Sequence, residues 1–120
     1  MAHHHFEELE IWKRSSRLAV SVLLLTGKMT SYALRDQMSR SSVSVPSNIA
    51  EGAERDSNRE FGRFLAIAKG SLAELRTQCY IAAKAELLTL DEVTPLIVET
   101  REIAAMISAF RKRILNNESA

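Results

Sequence analysis

The chain holds few residues that interrupt a helix: four glycines and two prolines in 120 positions. All-β chains are punctuated by such residues, so their scarcity weighs against that class and leans towards long helices. Cysteine is almost absent as well. The lone Cys79 can form no intramolecular disulfide, which fits a reducing compartment. Long apolar runs are missing. The stretch Leu18 to Leu25 is far short of the ~20 residues that cross a bilayer, and no basic segment with a small-residue cleavage site precedes it. Cytoplasm is therefore the expected location. Neither sign of charge dominates, with sixteen Lys and Arg against fifteen Asp and Glu. A dedicated nucleic-acid binder usually carries a clear basic excess, so the total lacks that signal and leaves only a local basic patch open. Histidine occurs only as His3, His4 and His5, which reads as a tag or a mobile end covering residues 1–6.

What is present is the composition of one soluble domain, 46% hydrophobic and 26% charged. The domain is expected over 7–115, with a frayed polar tail over 116–120. Four segments carry apolar residues at helical spacing. The first, about Glu7 to Thr26, shows two stripes: Leu9, Trp12, Ala19 and Leu23 on one side, Ile11, Leu18, Val22 and Leu25 nearly opposite. A helix of a small bundle needs one buried stripe. The second implies another copy of the chain, with Ile11, Leu18, Val22 and Leu25 as interface candidates. Gly27 is placed to cap this helix.

The second segment, Ser31 to Arg55, has the core stripe Leu34, Met38, Ser41, Val45, Ile49 and Gly52. Pro46 interrupts it, lacking an N–H and crowding the carbonyl of Ser42, so a kink or a break is predicted there. The third, to about Ala85, opens on the capping-box sequence Ser57-Asn-Arg-Glu60 and buries Phe61, Phe64, Leu65, Ala68, Leu72, Leu75 and Cys79. Gly70 breaks its pattern, and a close approach by another backbone would explain it. The fourth follows Thr89-Leu-Asp-Glu92, or starts at Thr94 if Pro95 sets the boundary, and reads Leu96, Thr100, Ile103, Ile107, Phe110, Ile114. Short turns between such segments predict an all-α, antiparallel up-down-up-down four-helix bundle whose second helix is kinked near Pro46.

Chemistry is hard to find in these residues. A nucleophile needs a base, and the only histidines are the terminal three; Cys79 falls on an apolar face, where an inert thiol is the default. No Gly-rich phosphate loop and no Glu-x-x-His pair is present, so no enzyme activity, cofactor or metal is expected. Two polar features stand out. Gln37, Arg40, Ser44, Asn48, Glu51 and Arg55 form a stripe beside the second segment's core stripe. It reads either as a hydrogen-bonded network fixing register or as a recognition surface. Arg59, Arg63, Lys69 and Arg76 lie on the outer arc of the third segment, as a solvated face or as a nucleic-acid contact. Arg111-Lys112-Arg113 suits a helix C-terminus with no partner.

The run Gln37-x-x-Arg40-x-x-x-Ser44-x-Pro46-x-Asn48-Ile49-Ala50-Glu51-Gly52 closely resembles the signature of the bacterial four-helix bundle family that includes proteins encoded by intervening sequences of 23S ribosomal RNA. The likeness continues through Arg55, Ser57, Glu60-Phe61, Phe64-Leu65, Ile67-Ala68, Gly70-Ser71 and Glu74-Leu75, with Leu9 and Trp12 earlier. Glu74, which lies between the core stripe and the basic arc of the third segment, is counted with the polar stripe. Departures are a short first turn, Ala33 where glycine is common, and Ser39 where a second arginine is common. The resemblance implies a bundle with a long kinked second helix, assembled as a ring-shaped homopentamer, with no established enzyme activity. It also implies RNA or an RNA-associated protein as partner, with a protein-interaction scaffold as the alternative.

Overall fold

The apolar stripes become four helices because each can bury its stripe only against the others. The structure is a computed structural model that describes residues 5–119. A 3-10 turn at Phe6–Glu8 leads into α1 (Glu10–Thr26), followed by α2 (Tyr32–Ala53), α3 (Asn58–Lys84) and α4 (Leu90–Ser119). Thirty residues at about 1.5 Å each account for the long dimension of the 50 × 20 × 19 Å body.

The helices pack in the cyclic order α1, α2, α3, α4 and back to α1, and among the described residues α1 makes no contact with α3. Ser41 meets Gln78, Ser44 meets Ser71 and Gly52 faces Phe61 and Phe64, so numbers rise along α2 as they fall along α3. Arg14 reaches Glu99 and Glu102 while Lys28 reaches Glu92, which relates α1 and α4 the same way. Tyr80 with Arg101 and Gly62 with Leu115 do so for α3 and α4.

The helix starts are chemically specified. The Ser31 and Ser57 hydroxyls accept the N–H groups of Leu34 and Glu60. At α4 the box is complete: Thr89 N–H donates to the Glu92 carboxylate at 2.8 Å and Glu92 N–H donates to the Thr89 hydroxyl at 3.1 Å. The helix accordingly begins at Leu90 and runs through Pro95, so the alternative start at Thr94 is set aside. α2 likewise passes unbroken through Pro46. Val45, Pro46 and Ile49 are all buried there, and that burial offsets the roughly 3 kcal/mol that an interior proline costs.

Several expectations need correction. Ile11, Leu18 and Val22 lie in the chain's own core and so are not available to a second copy, while Leu25 is partly buried against that core. Periodicity defined two stripes on α1, but α2 and α4 together cover most of both. What is left outside is Val20, Leu23 and Leu24, at 55%, 45% and 78% exposure. Gly70 has nothing within 4 Å of where a Cβ would stand, so no backbone among the described residues approaches it. The close approaches fall at Gly52 and Gly62. Residues 1–4 and 120 lie outside the described residues. Phe6, expected in a mobile end, packs edge-on against Trp12, and α4 continues to Ser119 past the expected tail boundary.

α3 ends by a left-handed turn at Glu86, φ 61°. Leu87 N–H bonds the carbonyl of Ala82 and Glu86 N–H that of Ala83, the Schellman pattern, with half-buried Leu87 supplying the usual apolar contact. A side chain in this conformation costs roughly 1 kcal/mol relative to glycine. Glu86→Gly is expected to stabilise the fold by about 0.5–1 kcal/mol, measurable as a rise of a few degrees in Tm. An unchanged or lower Tm would contradict this account of the turn.

Candidate functional site

The polar stripe of α2 is brought beside α3. Gln37, Arg40, Ser41 and Ser44 line one open cleft with Glu74 and Gln78. Its floor is hydrogen-bonded: Ser44 to Ser71 at 2.8 Å, Ser41 hydroxyl to Gln78 at 2.7 Å, and Asn48 Nδ2 to the Ser44 carbonyl at 2.8 Å. Half-buried hydroxyls and amides are held this way because an unmet one costs about 1–3 kcal/mol. Arg40 turns outward to Asp36 rather than into this network. Arg55 pairs with Glu51 at 2.7 Å and lies over the Phe64 ring, which Arg63 also covers. The stripe therefore divides into a structural floor and an outer row of charged ends.

The cations group differently. Arg59, Glu60, Arg63 and Ala66 from α3 line a depression with Arg111 and Leu115 from α4. A second depression adjoins it, sharing Ala66, Arg111 and Leu115 and adding Lys69, Lys112 and Asn116. Five cationic side chains thus meet one carboxylate along the groove between the first half of α3 and the last turns of α4. Arg76, the fourth expected contact, lines neither depression. Arg111 and Lys112 were absent from the expected contacts because they stand over forty positions from their neighbours in sequence. The signal for them was the Arg111-Lys112-Arg113 run itself.

Two details fix the groove electrostatically. Arg111 donates its Nε–H to the Gly62 carbonyl at 2.7 Å, which anchors the guanidinium and leaves its terminal N–H groups for a ligand. Arg63 hydrogen-bonds Glu60 through two nitrogens at 3.2 Å, and this holds the Glu60 carboxyl below its ordinary range and raises Arg63 further. Glu60 therefore stays ionised, and it offsets a single cation. Such an arrangement can hold a chain of anionic groups along its length.

Elsewhere the reactive candidates are quiet. Burial pushes the Cys79 thiol up to about 11, which leaves it a poor nucleophile. Among the described residues, no cluster of three or more His, Cys, Asp or Glu could hold a metal ion, and no helix is long and apolar enough to cross a membrane.

Fold and site together define an all-α bundle with a charged surface groove. The model of the 23S rRNA-intervening sequence protein family matches residues 7–109, and the chain belongs to that family. Among solved structures, it is similar to a protein of unknown function from the S23 ribosomal protein family of Bacteroides thetaiotaomicron. The TM-score is 0.79 at 21% identity, over 85% of this chain and 98% of that one, a likeness of fold. No curated protein matches the chain.

Proposed function

We propose that the chain is a non-enzymatic, cytoplasmic binding protein that self-associates and holds RNA, free or within a ribonucleoprotein, in the α3/α4 groove. The observation carrying this reading is the gathering of Arg59, Arg63, Lys69, Arg111 and Lys112 around two adjoining depressions in a chain whose net charge is only +1. Phosphates are the anions that such a row of forked and point cations matches best. The family name ties relatives to 23S ribosomal RNA intervening sequences, which accords with an RNA ligand. Assembly as a homopentameric ring would repeat the groove around the circumference and multiply a modest local affinity.

The test is titration of a structured RNA with the purified protein. Binding near physiological salt is expected, and Arg59, Arg63, Lys69 and Arg111 changed together to Ala should abolish it while helicity is unchanged. Failure of the native protein to bind structured RNA even at low salt would overturn the proposal. A protein-interaction scaffold is the second reading, favoured by the exposed apolar side chains Val20, Leu23 and Leu24.

A further inference from the structure

Two helix starts in this chain share one sequence form and use it differently. At α4 the Glu92 carboxylate reaches back to the Thr89 N–H at 2.8 Å and closes the capping box. At α3 the Ser57 hydroxyl accepts the Glu60 N–H at 3.1 Å, but the Glu60 carboxylate turns away from the cap. Its two oxygens instead accept from Arg63 Nε and Nη2, both at 3.2 Å. Glu60 thus gives up half of a capping box to hold one cation of the groove. The contact is the two-pronged fork that a guanidinium also makes with a phosphate. Arg63 does not need Glu60 for its placement, because its guanidinium lies 4.6 Å over the ring of buried Phe64. The two side chains are 57% and 45% exposed, and an ion pair so hydrated is weak and open to exchange.

We propose that Glu60 is a built-in stand-in for a backbone phosphate: it occupies Arg63 in the unliganded chain, a chain of phosphates displaces it, and the carboxylate then swings back to the Ser57 N–H. This rests on the α3/α4 groove being the RNA site, and names how that site is gated. Glu60 stands at the third position of α3, within reach of the cap on one side and of the groove on the other. The exchange replaces one anion on Arg63 by another, so it adds no net neutralisation of charge. A lone anion therefore gains little by it. A chain already held by Arg59, Lys69, Arg111 and Lys112 presents its next phosphate to Arg63 at high local concentration. Glu60 in this way sets a preference for polyanions over single ions.

Glu60→Gln tests this, because glutamine removes the charge and still suits the capping box. In titrations of a structured RNA, E60Q should bind about three- to fivefold tighter than the native chain. Its slope of log K against log salt should be steeper by close to one unit, since Arg63 then meets the RNA unpaired. The gain should depend on Arg63: in an Arg63→Ala background, E60Q should yield less than about half of it. An equal gain in both backgrounds would mean that only a repulsive charge had been lost, and would overturn the stand-in. In the native protein, RNA should slow hydrogen exchange at the Ser57 amide as the box closes. No gain from E60Q, or a Ser57 amide that RNA leaves unchanged, would overturn this inference while RNA binding stood. A native chain that binds no structured RNA even at low salt would overturn the proposed function and this inference together.

Discussion

Gly52→Val is expected to destabilise the protein by about 3 kcal/mol or more, and Gly52→Ala by less. A Cβ at Gly52 would stand 2.7 Å from the Cβ of Phe64 and 2.8 Å from Cδ1 of Phe61. The first of these atoms is fixed to the α3 backbone, so it cannot swing aside. The second belongs to a ring that is 2% exposed and packs edge-on against Phe110. Relief therefore requires α2 and α3 to separate, which opens contacts along the whole pair. Against this, alanine regains about 1 kcal/mol of helix propensity, so its net effect is smaller. With total stabilities of 5–15 kcal/mol, the valine variant removes a large share of the whole and should lower Tm by roughly 10 °C. Gly62→Ala provides the contrast. Its Cβ would meet Leu115 Cδ2 at 2.9 Å, the end of a flexible side chain, so a loss below 1 kcal/mol is expected. Thermal and urea unfolding check both. A valine variant as stable as the native protein would show that α2 and α3 are not in tight contact at this level.

RNA affinity is expected to fall steeply with salt. If the four groove cations that Glu60 does not offset each neutralise a phosphate of a duplex, the slope of log K against log salt is about −3.6, and affinity drops roughly a hundredfold between 50 and 200 mM. Replacing Lys69 or Lys112 by Ala should reduce the slope by close to one unit each, since each releases one counterion fewer. Arg111→Ala should cost more than either lysine, because its guanidinium is held in place by Gly62 and loses less freedom on binding. Changing Arg76, which lies outside both depressions, should leave the slope unaltered. Fluorescence titration at four or five salt concentrations measures all of these. A flat salt dependence would mean that phosphate contacts do not drive binding.

The local chemistry of this fold was legible residue by residue. Ser57 and Thr89 cap α3 and α4, the reciprocal box closing only at Thr89 because the Glu60 carboxylate turns to Arg63, and the core stripes of the second, third and fourth segments are the residues that pack inside. The one-dimensional pattern misled wherever two elements compete for one surface. α1 carries apolar residues around most of its circumference, and only the placement of α2 and α4 decides that Val22 is in the core while Leu24 stands in water. Gly52 and Gly70 look alike in sequence as glycines within helical patterns. One is pressed against two phenylalanines and the other faces open space.

The sequence by itself determined that the chain is helical, that α2 and α3 begin at Ser31 and Ser57, and which stripe of α2, α3 and α4 is apolar. These follow from backbone hydrogen bonding and from side-chain spacing, which act over three or four residues. Only the tertiary structure decided that Lys69 shares a groove with Arg111, that the α1 surface left in water runs through Val20 and Leu24, and that Gly52 admits no side chain. Those outcomes depend on which faces meet across the bundle. That choice is made by the packing of all four helices at once.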